Sequence, residues 1–342
     1  MPVAEVPGSF GVCLENSVVK YDLDNHGFRN PDSIWAEDHW QVAILGDSFG
    51  AGICVKADQT IAAHLRSVWP LTANVSVSWT SPVDQYAIFR EYVVDHKPSV
   101  VVWLLYEGND FRQIEDMGSR FLKYLDDPTY TQNLSARSGE LLAMARDENT
   151  VPSLLRDWFA SLFPKEAGAI REMTLAELVA FAKGRFEEIV TAYTAQRSHA
   201  TAWYHVRSWA KLSNVRSRLR LTAVQGVDAS AISDQTIHLV GRALIATNAA
   251  VEGWGGKLVV FFLPEITRFT RARWDRYHSD NWVRLIKDVE GHGIRFIDAG
   301  VMLREREPDP TQIYAFGRAG GHFNERGYRA VSDILLEELP SL

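Results

Sequence analysis

Five short apolar runs constrain the fold of this chain more than any other feature. They are "WQVAILG" (Trp40 to Gly46), "ANVSVS" (Ala73 to Ser78), "SVVVWLLY" (Ser99 to Tyr106), "KLVVFFLP" (Lys257 to Pro264) and "GIRFID" (Gly293 to Asp298). The runs are continuous rather than alternating, which is the pattern of strands covered on both faces inside a parallel sheet. Helical patterns fall between and after them, at Thr60 to Val68, Val83 to His96, Asp234 to Trp254, Ser279 to Gly291 and Glu325 to Leu339. Strand and helix in alternation predict a three-layer α/β/α, flavodoxin-like parallel sheet.

One interruption stands out. From Phe111 to about Ala231 no stretch reads as a strand, while "TLAELVAFAKGRFEEIVTAYTAQ" reads as helix. So long a segment does not stay structureless in a compact domain. It is therefore expected to be a mainly helical insertion over residues 111–231, after the third strand, within a single domain of residues 1–342. Its position suggests a lid or small subdomain beside the strand C-termini that shapes substrate choice. The cations Arg207, Lys211, Arg216, Arg218 and Arg220 read as a solvated basic helix face, or as a surface for an anionic glycan or membrane headgroups.

The net charge of −7 argues against binding to phosphate backbones, so no nucleic-acid partner is expected. No run approaches the ~18 apolar residues of a membrane span, and "MPVAEVPGSFG" lacks a signal-peptide pattern. Membrane association is accordingly not expected, and the compartment stays open between cytoplasm and periplasm. Two cysteines, Cys13 and Cys54, make neither a disulfide framework nor a zinc-like spacing. No His/Asp/Glu cluster has metal-ligand spacing, and no Walker loop or dinucleotide fingerprint occurs, so no metal or cofactor is expected.

In a doubly wound sheet, ligands bind beyond the carboxyl ends of the strands. Three such ends carry reactive residue types. The first run ends in "GDSFGAG" and presents Ser48 in a turn of small residues. The third ends in "EGND" and presents Gly108, Asn109 and Asp110. After the fifth, "AGGHFNERGY" brings His322 to the start of the last helix. A hydroxyl nucleophile needs a base within hydrogen-bond reach and donors aimed at the developing oxyanion. Ser48, His322 and Asn109 supply those types, with the Ser48 N–H as a further donor. Tyr106, Glu107 and Arg29 read as structural.

These motifs resemble those of the SGNH (GDSL-type) hydrolases. Gly46-Asp47-Ser48 matches the first block of that family, Gly108-Asn109-Asp110 the third, and His322 the last. "YDLDNHGFRNP" (Tyr21 to Pro31), "RFLKYLDDPTYTQNL" and "GHFNERGY" also look like segments of bacterial members associated with polysaccharide biosynthesis, and the resemblance covers most of the chain from Tyr21. It implies serine-dependent acyl-ester chemistry through an acyl-serine, with an O-acylated carbohydrate or other small ester as substrate. Release of the acyl group to water would make an esterase, and transfer to a sugar hydroxyl an O-acyltransferase. A catalytically disabled glycan-binding relative is the alternative.

The sequence departs from the family pattern twice. The second block usually supplies a glycine N–H to the oxyanion hole, whereas here the loop is "SWTSP" (Ser78 to Pro82), leaving Trp79 or Ser81 as donor. The Trp79 indole could stack on a sugar ring or pack under the insertion. The family also usually has an aspartate three residues before the histidine. Ala319 stands there, so a Ser-His dyad is expected, with Asp298 and Glu325 as weak acidic candidates.

Overall fold

The computed structural model describes residues 10–13, 15, 19–117, 121–145, 156–157, 159–160, 163–185, 188, 233–270, 285–286 and 289–339. It divides into two compact units, residues 1–142 with 232–342, and residues 143–231. The first unit holds a five-stranded sheet of β3 (Val42–Leu45), β4 (Thr72–Asn74), β5 (Val100–Tyr106), β6 (Lys257–Leu263) and β7 (Arg295–Asp298). All four pairings are parallel, in the spatial order β4-β3-β5-β6-β7. Four of the apolar runs each contain one strand, while the run from Ala73 to Ser78 shares only Ala73 and Asn74 with β4, which starts at Thr72. The order is that of flavodoxin-like sheets. A separate antiparallel hairpin, β1 (Phe10–Cys13) with β2 (Val19–Asp22), precedes the sheet.

Burial explains why the runs do not alternate. Ala43, Leu45, Val101, Trp103, Leu105, Val260 and Phe262 pack on one face with Tyr86 and Phe89 of α3 (Pro82–Tyr92) and Val240, Leu244 and Val251 of a helix at Asp234–Gly253. Val42, Ile44, Val102, Leu104, Val259, Phe261 and Leu263 pack on the other, with Leu65 of α2 (Ile61–Arg66), Leu303 of the helix Ala299–Arg306, and Val331 and Leu335 of the helix Glu325–Glu338. Apolar side chains are needed on both faces of each strand, and three layers result.

The chain leaves β3 toward β4 on one side and continues to β5 on the other. The switch point therefore lies between the carboxyl ends of β3 and β5. Although β4 ends at Asn74, Val75 and Val77 still donate to the carbonyls of Ile44 and Gly46, at 2.9 and 3.1 Å. The loop after β4 is thereby held beside the turn after β3.

The described part of the second unit is helical, with Ala167–Glu172 and Leu175–Gly184. Thr174 starts the latter through reciprocal bonds with Glu177, and Phe163, Ile170 and Leu178 are buried. Arg207, Lys211, Arg216, Arg218 and Arg220 lie outside the described residues. So does the expected helix start at Ser279, although Leu285 and Val289 further along are helical and buried.

Candidate active site

Ser48 opens a one-turn helix, α1 (Ser48–Ala51), directly after β3. The buried Asp47 caps it by accepting the Phe49 N–H at 2.9 Å. The small residues around Ser48 are a steric requirement: a Cβ on Gly50 would lie 2.3 Å from Ser76 Oγ, and one on Gly46 would lie 3.0 Å from the Leu104 carbonyl. Asn74 pins the same turn by donating from Nδ2 to the Gly50 carbonyl at 2.9 Å.

His322 meets Ser48 from the far end of the chain. Its Nε2 lies 2.8 Å from Ser48 Oγ. The isolated bridge between Tyr314 and Phe323 anchors the backbone beside it, as does Asn324, which caps the last helix by accepting the Gly327 N–H at 3.1 Å. Phe49 packs between Tyr106 and His322, at ring distances of 4.0 and 4.8 Å.

The expectation of a dyad without a carboxylate is corrected by Glu15. Its Oε1 lies 2.8 Å from His322 Nδ1, and its Oε2 accepts the His322 backbone N–H at 2.8 Å. The result is a Ser48–His322–Glu15 relay. Neither acidic candidate from the sequence takes this place. Asp298 caps the helix Ala299–Arg306 and pairs with Arg268, while Glu325 is exposed in the first turn of the last helix. Gly320 and Gly321 both have left-handed backbones, with φ of 86° and 87°, and a Cβ on Gly321 would come within 2.9 Å of Glu15 Oε2. Gly321 leaves the space that Glu15 occupies beside the imidazole, whereas a Cβ on Gly320 would meet Ile266 at 2.9 Å instead.

Asn109, at the switch point on the β5 side, donates its side-chain amide to Asp47. Its Oδ1 is buried without a hydrogen-bond partner among the described residues. Gly108 must be glycine because a Cβ there would lie 2.4 Å from the Tyr106 ring. Ser81 is set aside as an oxyanion donor, since its N–H and hydroxyl both bond Asp84 Oδ2 at 2.9 Å as the capping box of α3. Trp79 differs. Its backbone is left-handed, with φ of 62°, a conformation that costs a residue with a Cβ about 1 kcal/mol. That is the backbone shape a glycine would supply in the second block. Trp79 is 77% exposed.

Two buried carboxyls lie under the site. Burial pushes Asp47 up to about 6, against the bond from Phe49 and the His322 charge. Asp110 is raised further, first by burial and then by Asp47, although its Oδ2 accepts the Tyr106 N–H at 2.8 Å. A carboxyl raised in the fold contributes stability in full below its unfolded value near 4, and loses it as pH rises through the folded value. Asp110→Asn retains the acceptor and removes the charge. Its melting temperature relative to wild type is therefore expected to rise between pH 4 and pH 8, as scanning calorimetry at both pH values would record.

Among the described residues, Cys13, Glu15 and Cys54 form a group with ligand atoms within 4.8 Å of one another. The two sulfurs are joined in a disulfide, so neither is a thiolate that could ligate a metal. No described helix is long and apolar enough to cross a membrane.

No family model matches the chain, and no curated protein does. Among solved structures, it is similar to LAE5, an alpha/beta hydrolase enzyme from the metagenome of Lake Arreo, Spain, at 14% identity and a TM-score of 0.41, covering 89% of this chain and 96% of that one. A second solved chain is similar at 11% identity and a TM-score of 0.38, with 89% and 98% covered. Likenesses this distant carry no inference about chemistry, which rests on the residues themselves.

Proposed function

We propose that this chain is a serine-dependent acyl-ester hydrolase of SGNH type, acting on an O-acylated carbohydrate. The observation that carries the reading is the Ser48–His322–Glu15 relay at the switch point of the sheet, with both imidazole nitrogens engaged at 2.8 Å. Glu15 accepts from Nδ1–H, which leaves Nε2 as the lone-pair nitrogen facing Ser48. Ser48 Oγ attacks the ester carbonyl as its proton passes to Nε2. The negative charge on the carbonyl oxygen is met by the N–H groups of Ser48 and Trp79 and the Asn109 amide. Collapse expels the sugar oxygen, which takes the proton from Nε2. Water, deprotonated by the same nitrogen, then releases the acid and restores Ser48. A sugar hydroxyl in place of that water would complete an O-acyl transfer by identical steps.

Two features favour a sugar substrate. The Trp79 indole is exposed, and a flat aromatic face suits the C–H face of a pyranose. The segments that resemble polysaccharide-associated proteins point the same way. The relay argues against a disabled relative, because a glycan-binding scaffold has no use for a serine with a base at hydrogen-bond distance.

The test is covalent. A fluorophosphonate is expected to label Ser48 stoichiometrically, as located by peptide mass spectrometry. p-Nitrophenyl acetate should give a burst of p-nitrophenol that Ser48→Ala lacks. Labelling of a different serine, with Ser48 unmodified, would sink the mechanism. Mass spectrometry of acetylated oligosaccharides incubated with the protein then separates loss of acetyl groups from their transfer.

A further inference from the structure

We propose that the Cys13–Cys54 disulfide is a positioning element of the hydrolytic site, holding Glu15 against His322, so that reducing it lowers turnover while the fold persists. The inference rests on the role given above to Ser48, His322 and Glu15. It starts from an asymmetry in how the three groups are held. Ser48 and His322 belong to segments fixed to the central sheet and its last helix. Glu15 does not. It lies between the strands of the β1–β2 hairpin, which among the described residues pair with each other and not with the sheet, although Cys13, Val19 and Tyr21 are buried. An isolated two-stranded hairpin is marginal in water. A carboxylate carried on one would not stay within 2.8 Å of an imidazole without outside support.

The disulfide supplies that support at the right place. Cys13 is the last residue of β1, two positions before Glu15, and Cys54 lies just beyond α1, the helix that Ser48 opens. The bond joins residues 41 apart in sequence, with their Cα atoms at 5.0 Å, and thereby fastens the carboxylate's turn to the nucleophile's own loop. Arg29 reinforces the same junction. It is buried, donates to the carbonyls of Gly52 and Val55, and lies 4.6 Å from the Tyr21 ring of β2. Both cysteines are buried, so the bond is internal to the site's wall. A disulfide required for activity also implies work in an oxidising compartment.

Dithiothreitol is used to reduce the bond, with loss of the disulfide confirmed by intact mass after alkylation. Two electrons and two protons pass from the dithiol to the bridge, leaving thiols at Cys13 and Cys54 and a cyclic disulfide on the reagent. The thiols are alkylated with iodoacetamide and the reagents removed before assay on p-nitrophenyl acetate. A Cys13→Ala/Cys54→Ala variant provides a second route that avoids the alkyl groups. The expected result is a fall in kcat of tenfold or more with KM within twofold, while far-UV and near-UV circular dichroism keep their native form. In the Glu15→Gln background the same treatments should change kcat by less than twofold, because groups acting as one unit are not additive. A smaller fall in wild type overturns the proposal, as does an equal fall in the Glu15→Gln background. Cooperative unfolding on reduction also overturns it, since the bond would then serve global stability. Failure of the parent reading looks different: the oxidised protein would show no Ser48-dependent activity at all.

Discussion

Replacing His322 by alanine is expected to lower kcat on p-nitrophenyl acetate by roughly 10⁵ or more, the scale on which loss of the base disables a serine hydrolase. The argument is one of protonation. A serine hydroxyl is a weak nucleophile at neutral pH and gains reactivity only if its proton has somewhere to go during attack. Nε2 at 2.8 Å is the nitrogen placed to take it. The fold should survive the change, because the side chain is 20% exposed and lies outside both hydrophobic clusters. The backbone N–H that donates to Glu15 remains in the alanine variant, so Glu15 keeps that hydrogen bond. The donors around the oxyanion also remain, and they account for the activity that survives. Steady-state kinetics at matched protein integrity make the comparison. A loss below 10² would mean that another group activates Ser48.

The parts of this design legible in the sequence are those fixed by burial and by strand order. Two-sided burial forces continuous apolar runs, so each of the five strands announced itself, and with them the places where Ser48 and Asn109 emerge. The β1–β2 hairpin announced nothing. Its four-residue strands, "FGVC" and "VKYD", are too short and mixed to show a period. Glu15 was hidden for a further reason: it lies 307 residues from His322, and nothing in its own neighbourhood marks it. Two signals did point to it, though only in combination. One is the pair of cysteines, which ties that N-terminal stretch to the loop after Ser48. The other is Gly321 directly before the histidine, a position without a side chain where Glu15 comes close. Trp79 was legible as a residue but not as a conformation, since only the backbone angle shows a tryptophan in the left-handed region that favours glycine.

Glu15→Gln is expected to lower kcat by about 10³ to 10⁴ with little change in KM, and the geometry says why the amide should be worse than a simple deletion. The carboxylate meets two donors, His322 N–H on Oε2 and the ring Nδ1–H on Oε1. A glutamine has one acceptor and one donor group for the same two positions. The backbone N–H cannot reverse its polarity, so it claims the amide oxygen. The amide NH₂ is left facing Nδ1, where its hydrogen bond requires Nδ1 to be the acceptor and so puts the ring proton on Nε2. A protonated Nε2 cannot accept from Ser48. The variant is thus locked in the unproductive tautomer, whereas Glu15→Ala leaves Nδ1 to water and both tautomers in exchange. The expected order of kcat is wild type, then Glu15→Asp or Glu15→Ala, with Glu15→Gln lowest. Asp298→Asn and Glu325→Gln, which touch neither ring nitrogen, should stay within a few fold of wild type. ¹⁵N spectra of the imidazole would report the tautomer directly in wild type and the glutamine variant. If Glu15→Gln stays within tenfold of wild type, the carboxylate only braces the hairpin, and His322 keeps its tautomer by other means.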